Sequence, residues 1–371
     1  MRLPSGPAGA TRECLQAAVV LVTQGEERLA VLVMGSDPDE GGGVRVQTMA
    51  TEERVARAFG QELRERALEL NVYRGQVVSF GHDVFGERGS LLRFEDRPTM
   101  SADELILPEE TFADLRRQVV GVARHGERLR RAGQHLKRGL LLYGPPGVGK
   151  THSVRYLMSE LVGTTVVELS GESLGALREA CSVARSLQPA MIVVEDVDLI
   201  AQDRDYYDGD ASPLFTLLNE MDGLDEDADV VFLLTTNRAD LLEDALASRP
   251  GRVDQAVWID RPDRDARRKL IELYRGRLDL DLSRLDGVLD RTEGVTASFL
   301  KELLRRAAVI AADRETGPVD GLPLHVSADD LDAAVDDLLD TRNQMTRTAL
   351  GLRTGGTDAD AEPDWDDVDE E

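Results

Sequence analysis

Apolar positions along the chain follow three successive rhythms. Between residues 17 and 94 they come in short runs divided by turn residues: 19–22 and 29–34 flank the polar turn 24–27, and further short runs lie between 72 and 94. Residues 52–70 break that rhythm. There Val55, Ala58, Phe59, Leu63, Ala67 and Leu70 recur every three or four positions, the period of a helix with one apolar face. The spacing predicts a small α+β unit in which that helix face is core rather than a binding groove. From residue 105 the pattern changes to near-continuous apolar runs at 139–143, 165–169, 191–194, 230–235 and 256–259, alternating with helical stretches. Strands without a polar face belong to a parallel sheet covered by helices on both sides. Beyond Pro262 only helical periodicity remains, over 263–277, 296–314 and 328–339.

These rhythms divide the chain. Residues 1–13, rich in Gly, Pro and Ala, are expected to be disordered; 14–95 form the small α+β domain, and 96–104, with Pro98, a linker. An α/β domain follows over 105–262, then an all-α subdomain over 263–340, then a disordered stretch over 341–371. Within that stretch, 358–371 holds nine acidic residues and no basic one. It reads as a solvated tail or as a docking peptide anchored by Trp365 and Val368.

Charge and cysteine content narrow the function classes. A net charge of −26 repels the phosphate backbone, which disfavours broad nucleic-acid binding. Cys14 and Cys181 are too few for a disulfide framework and match no metal-ligand spacing. The longest apolar runs are far shorter than a membrane span, and no basic region followed by an apolar stretch opens the chain. The expectation is a cytoplasmic protein without a membrane segment.

Three motifs carry chemistry. Gly144-Pro145-Pro146-Gly147-Val148-Gly149-Lys150-Thr151 fits G-x-x-x-x-G-K-[ST] between an expected strand and an expected helix. Glycines let backbone N–H groups converge on phosphate oxygens, and the following helix turns its positive end to them. Lys150 supplies a charge at the β- and γ-phosphates, and the Thr151 hydroxyl ligates Mg²⁺. The second motif is the apolar strand 191–194 ending in Glu195 and Asp196, where a further Mg²⁺ contact and a water-orienting base are needed. In the third, a strand ends in Thr235-Thr236-Asn237-Arg238 and Ser248-Arg249-Pro250-Gly251-Arg252 follows. Asn237 holds the attacking water or reads the γ-phosphate, unless it only caps the next helix. Arg249 and Arg252 bracket a rigid turn, and their planar forks suit a γ-phosphate. His152 reads as a packing residue, and the basic stretch 300–308 as a subunit interface or solvated face.

Together these motifs resemble the AAA family of ATPases over about 105–340, including the second region of homology from Thr235 to Arg252. The resemblance implies an α/β P-loop fold with a five-stranded parallel sheet in the order 5-1-4-3-2 and a helical lid. It also implies ATP and Mg²⁺ as cofactors and a homo-hexamer or similar ring with ATP at subunit interfaces. Asn237 would be the first sensor, and Arg249 and Arg252 fingers acting in trans. The lid turn Gly294-Val295-Thr296-Ala297-Ser298 resembles the one that packs near the adenine. The order Glu195-Asp196 reverses the usual Asp-Glu and is similar to that of the mitochondrial Rieske-protein translocases. Strand alternation then assigns Glu195 to the Mg²⁺ shell and Asp196 to the attacking water. Ring unfoldases carry an aromatic pore loop after the second strand, but no aromatic lies between Thr164 and Leu187 here. Tyr206 and Tyr207, in the segment 202–210, would be a second central loop that could grip a basic partner segment.

Two functions fit: MgATP hydrolysis coupled to remodelling or movement of a protein partner, and a slow nucleotide-gated scaffold that threads nothing. In either, Lys150→Ala should weaken ATP binding by at least about tenfold, the worth of a charged hydrogen-bonding group. Titration with ATP measures this, and unchanged affinity would remove the loop from the site.

Overall fold

The computed structural model describes residues 2–35, 44–81, 91–198, 213–225, 227–240, 253–314 and 323–340. Its centre is a sheet of seven strands among the described residues. These are β6 (Val77–Gly81), β7 (Leu91–Glu95), β8 (Arg138–Tyr143), β9 (Thr165–Leu169), β10 (Ala190–Val194), β11 (Val230–Thr236) and β12 (Gln255–Trp258). Their order is β12-β8-β11-β10-β9-β6-β7. Neighbouring strands pair parallel except β6 and β7. Every residue of β8, β10 and β11 is buried, as their uninterrupted apolar runs require.

Both sheet faces are covered. One packs on α5 (Leu177–Ser186) and α6 (Pro213–Asp222), through Ala180, Ala184, Leu217 and Met221. The other packs on α2 (Glu109–Leu115) and α4 (Lys150–Glu160), through Leu115, Val154, Leu157 and Met158. Between α2 and β8 the chain continues through a π-helical turn, Arg116–Gly121, into α3 (Val122–Arg131).

The five strands from β8 to β12 reproduce the expected order 5-1-4-3-2, but the sheet does not stop there. The hairpin β6–β7, assigned from sequence to the first domain, extends it beside β9. Val78 and Phe80 enter one face of the main core and Val77 the other, so the strand is apolar on both sides and belongs to a covered sheet. The segment 96–104 is likewise anchored rather than loose. Arg97 donates to the carbonyls of Gly75, Met158, Leu161 and Thr164 and so ties the hairpin to the end of α4.

The remaining N-terminal unit is a three-stranded antiparallel sheet, β3 (Ala17–Gln24), β4 (Glu27–Met34) and β5 (Arg45–Ala50), with α1 (Glu53–Glu69) against β5. The apolar face of α1 is only partly core: Val55 is buried, Phe59 and Leu63 are half-buried, and Leu70 just past its end is exposed. Seventeen helical residues reach about 25 Å and outrun the six residues of β5, which extend about 20 Å. Residues 2–13 are not irregular: β1 (Arg2–Pro4) and β2 (Thr11–Glu13) pair antiparallel around the turn-forming Gly6-Pro7-Ala8-Gly9. The Gly and Pro that suggested disorder are the turn of that hairpin.

The lid contains α7 (Arg264–Tyr274), α8 (Leu285–Arg291), α9 (Ala297–Arg314) and α10 (Ala328–Leu339), sharing one apolar core. Asp263 caps α7 by accepting from the Ala266 N–H at 2.7 Å, and Ser327 and Asp330 form a capping box on α10. Helix α8 was not expected, and the lid is not purely helical. Strands β13 (Asp279–Leu280) and β14 (His325–Val326) form a short parallel pair.

Arg97→Ala removes a half-buried guanidinium bonded to four carbonyls. Stability should fall by about 2–3 kcal/mol in urea unfolding. A loss below about 0.5 kcal/mol, the range of ordinary surface changes, would mean that the segment is not an anchor.

Candidate nucleotide site

The phosphate loop leaves β8 and enters α4 with three glycines in the positive-φ region, Gly144 (141°), Gly147 (78°) and Gly149 (118°). Only glycine adopts these angles freely. Two of them are also closed to a side chain by neighbours. A Cβ on Gly144 would collide with the Ile259 carbonyl oxygen at the end of β12, and one on Gly147 would lie 2.8 Å from Ser298 Oγ. The Ser298 N–H donates to the Gly147 carbonyl at 3.1 Å. The lid turn 294–298 therefore packs directly on the loop.

Lys150 is 7% exposed, and its Nζ donates to the carbonyls of Gly144 and Pro145 at 2.7 and 2.8 Å. Burial pulls its pKa down to about 8, and the carboxylates of Asp196 and Asp198 oppose that pull. Thr151 is exposed in the first turn of α4. Of the remaining loop residues, Pro145 and Val148 are buried and Pro146 is exposed.

Two strand tips meet beside the loop. Residues Met191 and Val193 of β10 face the α4 side of the sheet, and alternation carries Glu195 to the same side. Glu195 Oε1 is buried and has no hydrogen-bond partner among the described residues. Asp196 turns away with φ of 52°, in the left-handed region that ordinary side chains seldom occupy. Its N–H donates to Thr235 Oγ1, and its Oδ1 accepts from Asn237 Nδ2, both at 3.1 Å. The turn thus sends the two carboxylates in different directions and joins Asp196 to Asn237.

Asp198, two residues on, was not singled out from the sequence. It is 6% exposed and accepts from Thr236 Oγ1 at 2.9 Å and from the Asn237 N–H at 3.3 Å. The Val197 N–H donates to the Thr235 carbonyl at 2.9 Å. These bonds stitch the ends of β10 and β11 together and position Asn237. The visible signal was a third acid in Glu195-Asp196-Val197-Asp198. Glu168 on β9 was also missed. Burial, then Glu195 and Glu95, push its carboxyl above the usual carboxylate range, while Arg155 of α4 opposes them. His152 is half-buried, and burial, Arg155 and Lys301 lower its pKa, which suits the packing role expected of it.

The residues present fit a Mg²⁺ ion. An orphaned carboxylate oxygen on Glu195 and an accessible hydroxyl on Thr151 are two hard oxygen donors, and Mg²⁺ completes its shell with phosphate and water. Arg249, Arg252, Tyr206 and Tyr207 lie outside the described residues.

Residues 140–261 match the model of the "ATPase family associated with various cellular activities (AAA)". The chain is 37% identical over 239 residues to "ATP-dependent zinc metalloprotease FtsH 2" of Sphaerobacter thermophilus, covering 61% of this chain and 35% of that protein. It is 30% identical over 325 residues to "ATP-dependent zinc metalloprotease FtsH 1" of Symbiobacterium thermophilum, covering 81% and 53% respectively. The chain thus spans between about a third and about half the length of these curated relatives.

Lys150 gives the site a pH signature. Its free pKa lies near 8, below its usual value, and bound phosphate favours the charged form. ATP binding should therefore take up a proton, and affinity should fall as pH rises through about 8. Calorimetric titration in buffers of different ionisation enthalpy measures the uptake. Binding without proton uptake near that pH would contradict the buried, depressed lysine.

Proposed function

Because residues 140–261 belong to the AAA family of ATPases, we propose that this chain hydrolyses MgATP as a homo-oligomeric ring and uses the energy to remodel or move a protein partner. The observation that carries the reading is the Asp196–Asn237 contact held beside the buried Lys150. Backbone N–H groups of the loop and Lys150 bind the β- and γ-phosphates, releasing the lysine from its carbonyl partners. Thr151 and Glu195 would hold Mg²⁺, which supplies neutralisation of phosphate charge. Asp196 accepts the proton of the attacking water, and Asn237 fixes that carboxylate and the water. Asp is one methylene shorter than the usual Glu, so water is positioned less closely and turnover is slow. Arg249 and Arg252 act on the γ-phosphate of the neighbouring copy, where a cation in trans lowers the barrier.

The zinc-protease activity in the relatives' names is not part of this proposal. These 371 residues contain no H-E-x-x-H sequence. Among the described residues no helix is long and apolar enough to cross a membrane. A cytoplasmic location belongs to the same reading, on the strength of two cysteines with no disulfide or metal pattern.

A second reading, a slow nucleotide-gated scaffold, is favoured by the segment after β9. It lacks an aromatic, forms a 3₁₀ helix over Gly171–Ala176, and buries Leu174 and Ala176 in the sheet core. Those side chains are not free to grip a threaded chain. A partner protein that raises turnover would support remodelling over the scaffold.

Asp196→Asn should bind ATP normally and lose at least about a hundredfold in turnover, the usual share of a general base. Turnover equal to the unmodified protein would move the base elsewhere, most directly to Glu195. Arg252→Ala and Lys150→Ala proteins, each inactive, should regain activity when mixed, because one interface type then joins an intact loop to an intact arginine. No recovery from subunits shown to co-assemble would contradict action in trans.

A further inference from the structure

The lid carries a basic groove that the ATPase reading leaves unused. It lies between the end of α7 and one face of α9 and encloses about 460 Å³. Tyr274, Leu278, Leu304 and Ala308 supply apolar walls, and Arg275, Lys301 and Arg305 supply cations. The charge is local and runs against the chain: three cations and one carboxylate, Glu302, line the groove in a protein of net charge −26.

Elsewhere in the lid, arginines are matched by α10, which carries five aspartates and no basic residue. Asp329 and Asp332 pair with Arg284, Asp332 and Asp336 with Arg291, Asp337 with Arg306, and Asp330 with Arg314. Among the described residues, no aspartate of α10 pairs with the groove cations. There Arg275 and Arg305 pair with Glu272 and Glu302, each three positions away, and surface pairs of this kind hold little energy. Glu302 also binds Arg306, which divides its charge further. Lys301 has no carboxylate at ion-pair distance among the described residues, and it adds to the positive field on His152.

We propose that this groove binds the acidic segment 358–371 of its own chain, with Trp365 against the apolar walls and the flanking carboxylates on Arg275, Lys301 and Arg305. The segment offers what the groove lacks: nine carboxylates, no cation, and two apolar side chains three positions apart. Each groove cation then gains an opposite charge as an indole leaves water. The tether is sufficient. Helix α10 packs along α9, and the 24 residues between Asp340 and Trp365 are enough chain to span up to roughly 80 Å, well beyond the roughly 27 Å length of α9. Docking would also bear on the nucleotide site, since Ser298 lines the groove and bonds the phosphate loop through its N–H.

The test uses the full chain without nucleotide, so it is independent of whether ATP is hydrolysed. Trp365 is one of two tryptophans, and the difference between the unmodified protein and Trp365→Phe isolates its emission from that of Trp258. That emission should be blue-shifted and protected from acrylamide. In Lys301→Glu/Arg305→Glu it should shift to the red and quench severalfold more readily, with the thermal midpoint unchanged. Asp364→Lys/Asp366→Lys/Asp367→Lys in that background should restore protection. If the charge-reversed groove does not fold, about 1 M salt on the unmodified protein serves instead, since screening there acts within about 3 Å. A Trp365 that is solvent-like from the start, or protection that survives groove reversal or high salt, overturns the proposal. Protection that disappears on dilution assigns the segment to another copy's groove and overturns docking within one chain.

Discussion

Two glycine contacts set the geometry on which the nucleotide site depends. Gly144 sits against the Ile259 carbonyl at the exit of β12, and Gly147 against Ser298 and Thr296 of the lid. No side chain fits at either position, so the loop is clamped between the edge of the sheet and the first turn of α9. The clamp makes the loop a junction. A ligand that enlarges or reorients it must also move the lid, and this is how phosphate chemistry can become motion of a separate helical body.

Around that junction, burial sets the electrostatics. Lys150 is held on backbone carbonyls with a pKa near 8, so its charge is destabilised until phosphate arrives. Glu195 keeps one oxygen buried and, among the described residues, unpaired. Both features are unfavourable in an empty site and relieved in an occupied one, because a paired buried charge is far less destabilising than an isolated one. Asp198 does the opposite work. Its Oδ1 accepts from both Thr236 Oγ1 and the Asn237 N–H, which ties the tips of β10 and β11 together. The strained turn at Asp196 persists because the joined tips hold it on both sides.

Much of this was legible in the residues. Strands buried on both faces advertise themselves as unbroken apolar runs, and the five expected runs coincide with β8 to β12 to within a residue or two. The phosphate loop was readable because its glycines, lysine and threonine each answer a separate physical demand. What the sequence hid was partnership. Val77 and Val78 look like any short strand, and nothing local says that they pair with β9 rather than with the N-terminal sheet. Arg97 looks like a linker residue until its carbonyl acceptors, three of them 61 to 67 residues away, are in view. Asp198 looked like one more acid because its hydroxyl and amide donors lie on another strand. The left-handed turn at Asp196 carries no glycine or asparagine to announce it.

In the proposed ring the site is shared between copies of the chain, with the loop, carboxylates and Asn237 from one and the arginines from the next. Specific ATPase activity measured against protein concentration, with the oligomeric state followed in parallel by sedimentation, tests it most directly. Activity per chain should rise with concentration and level off as the ring population does. Full activity per chain at dilutions where sedimentation finds only monomers would contradict a shared site.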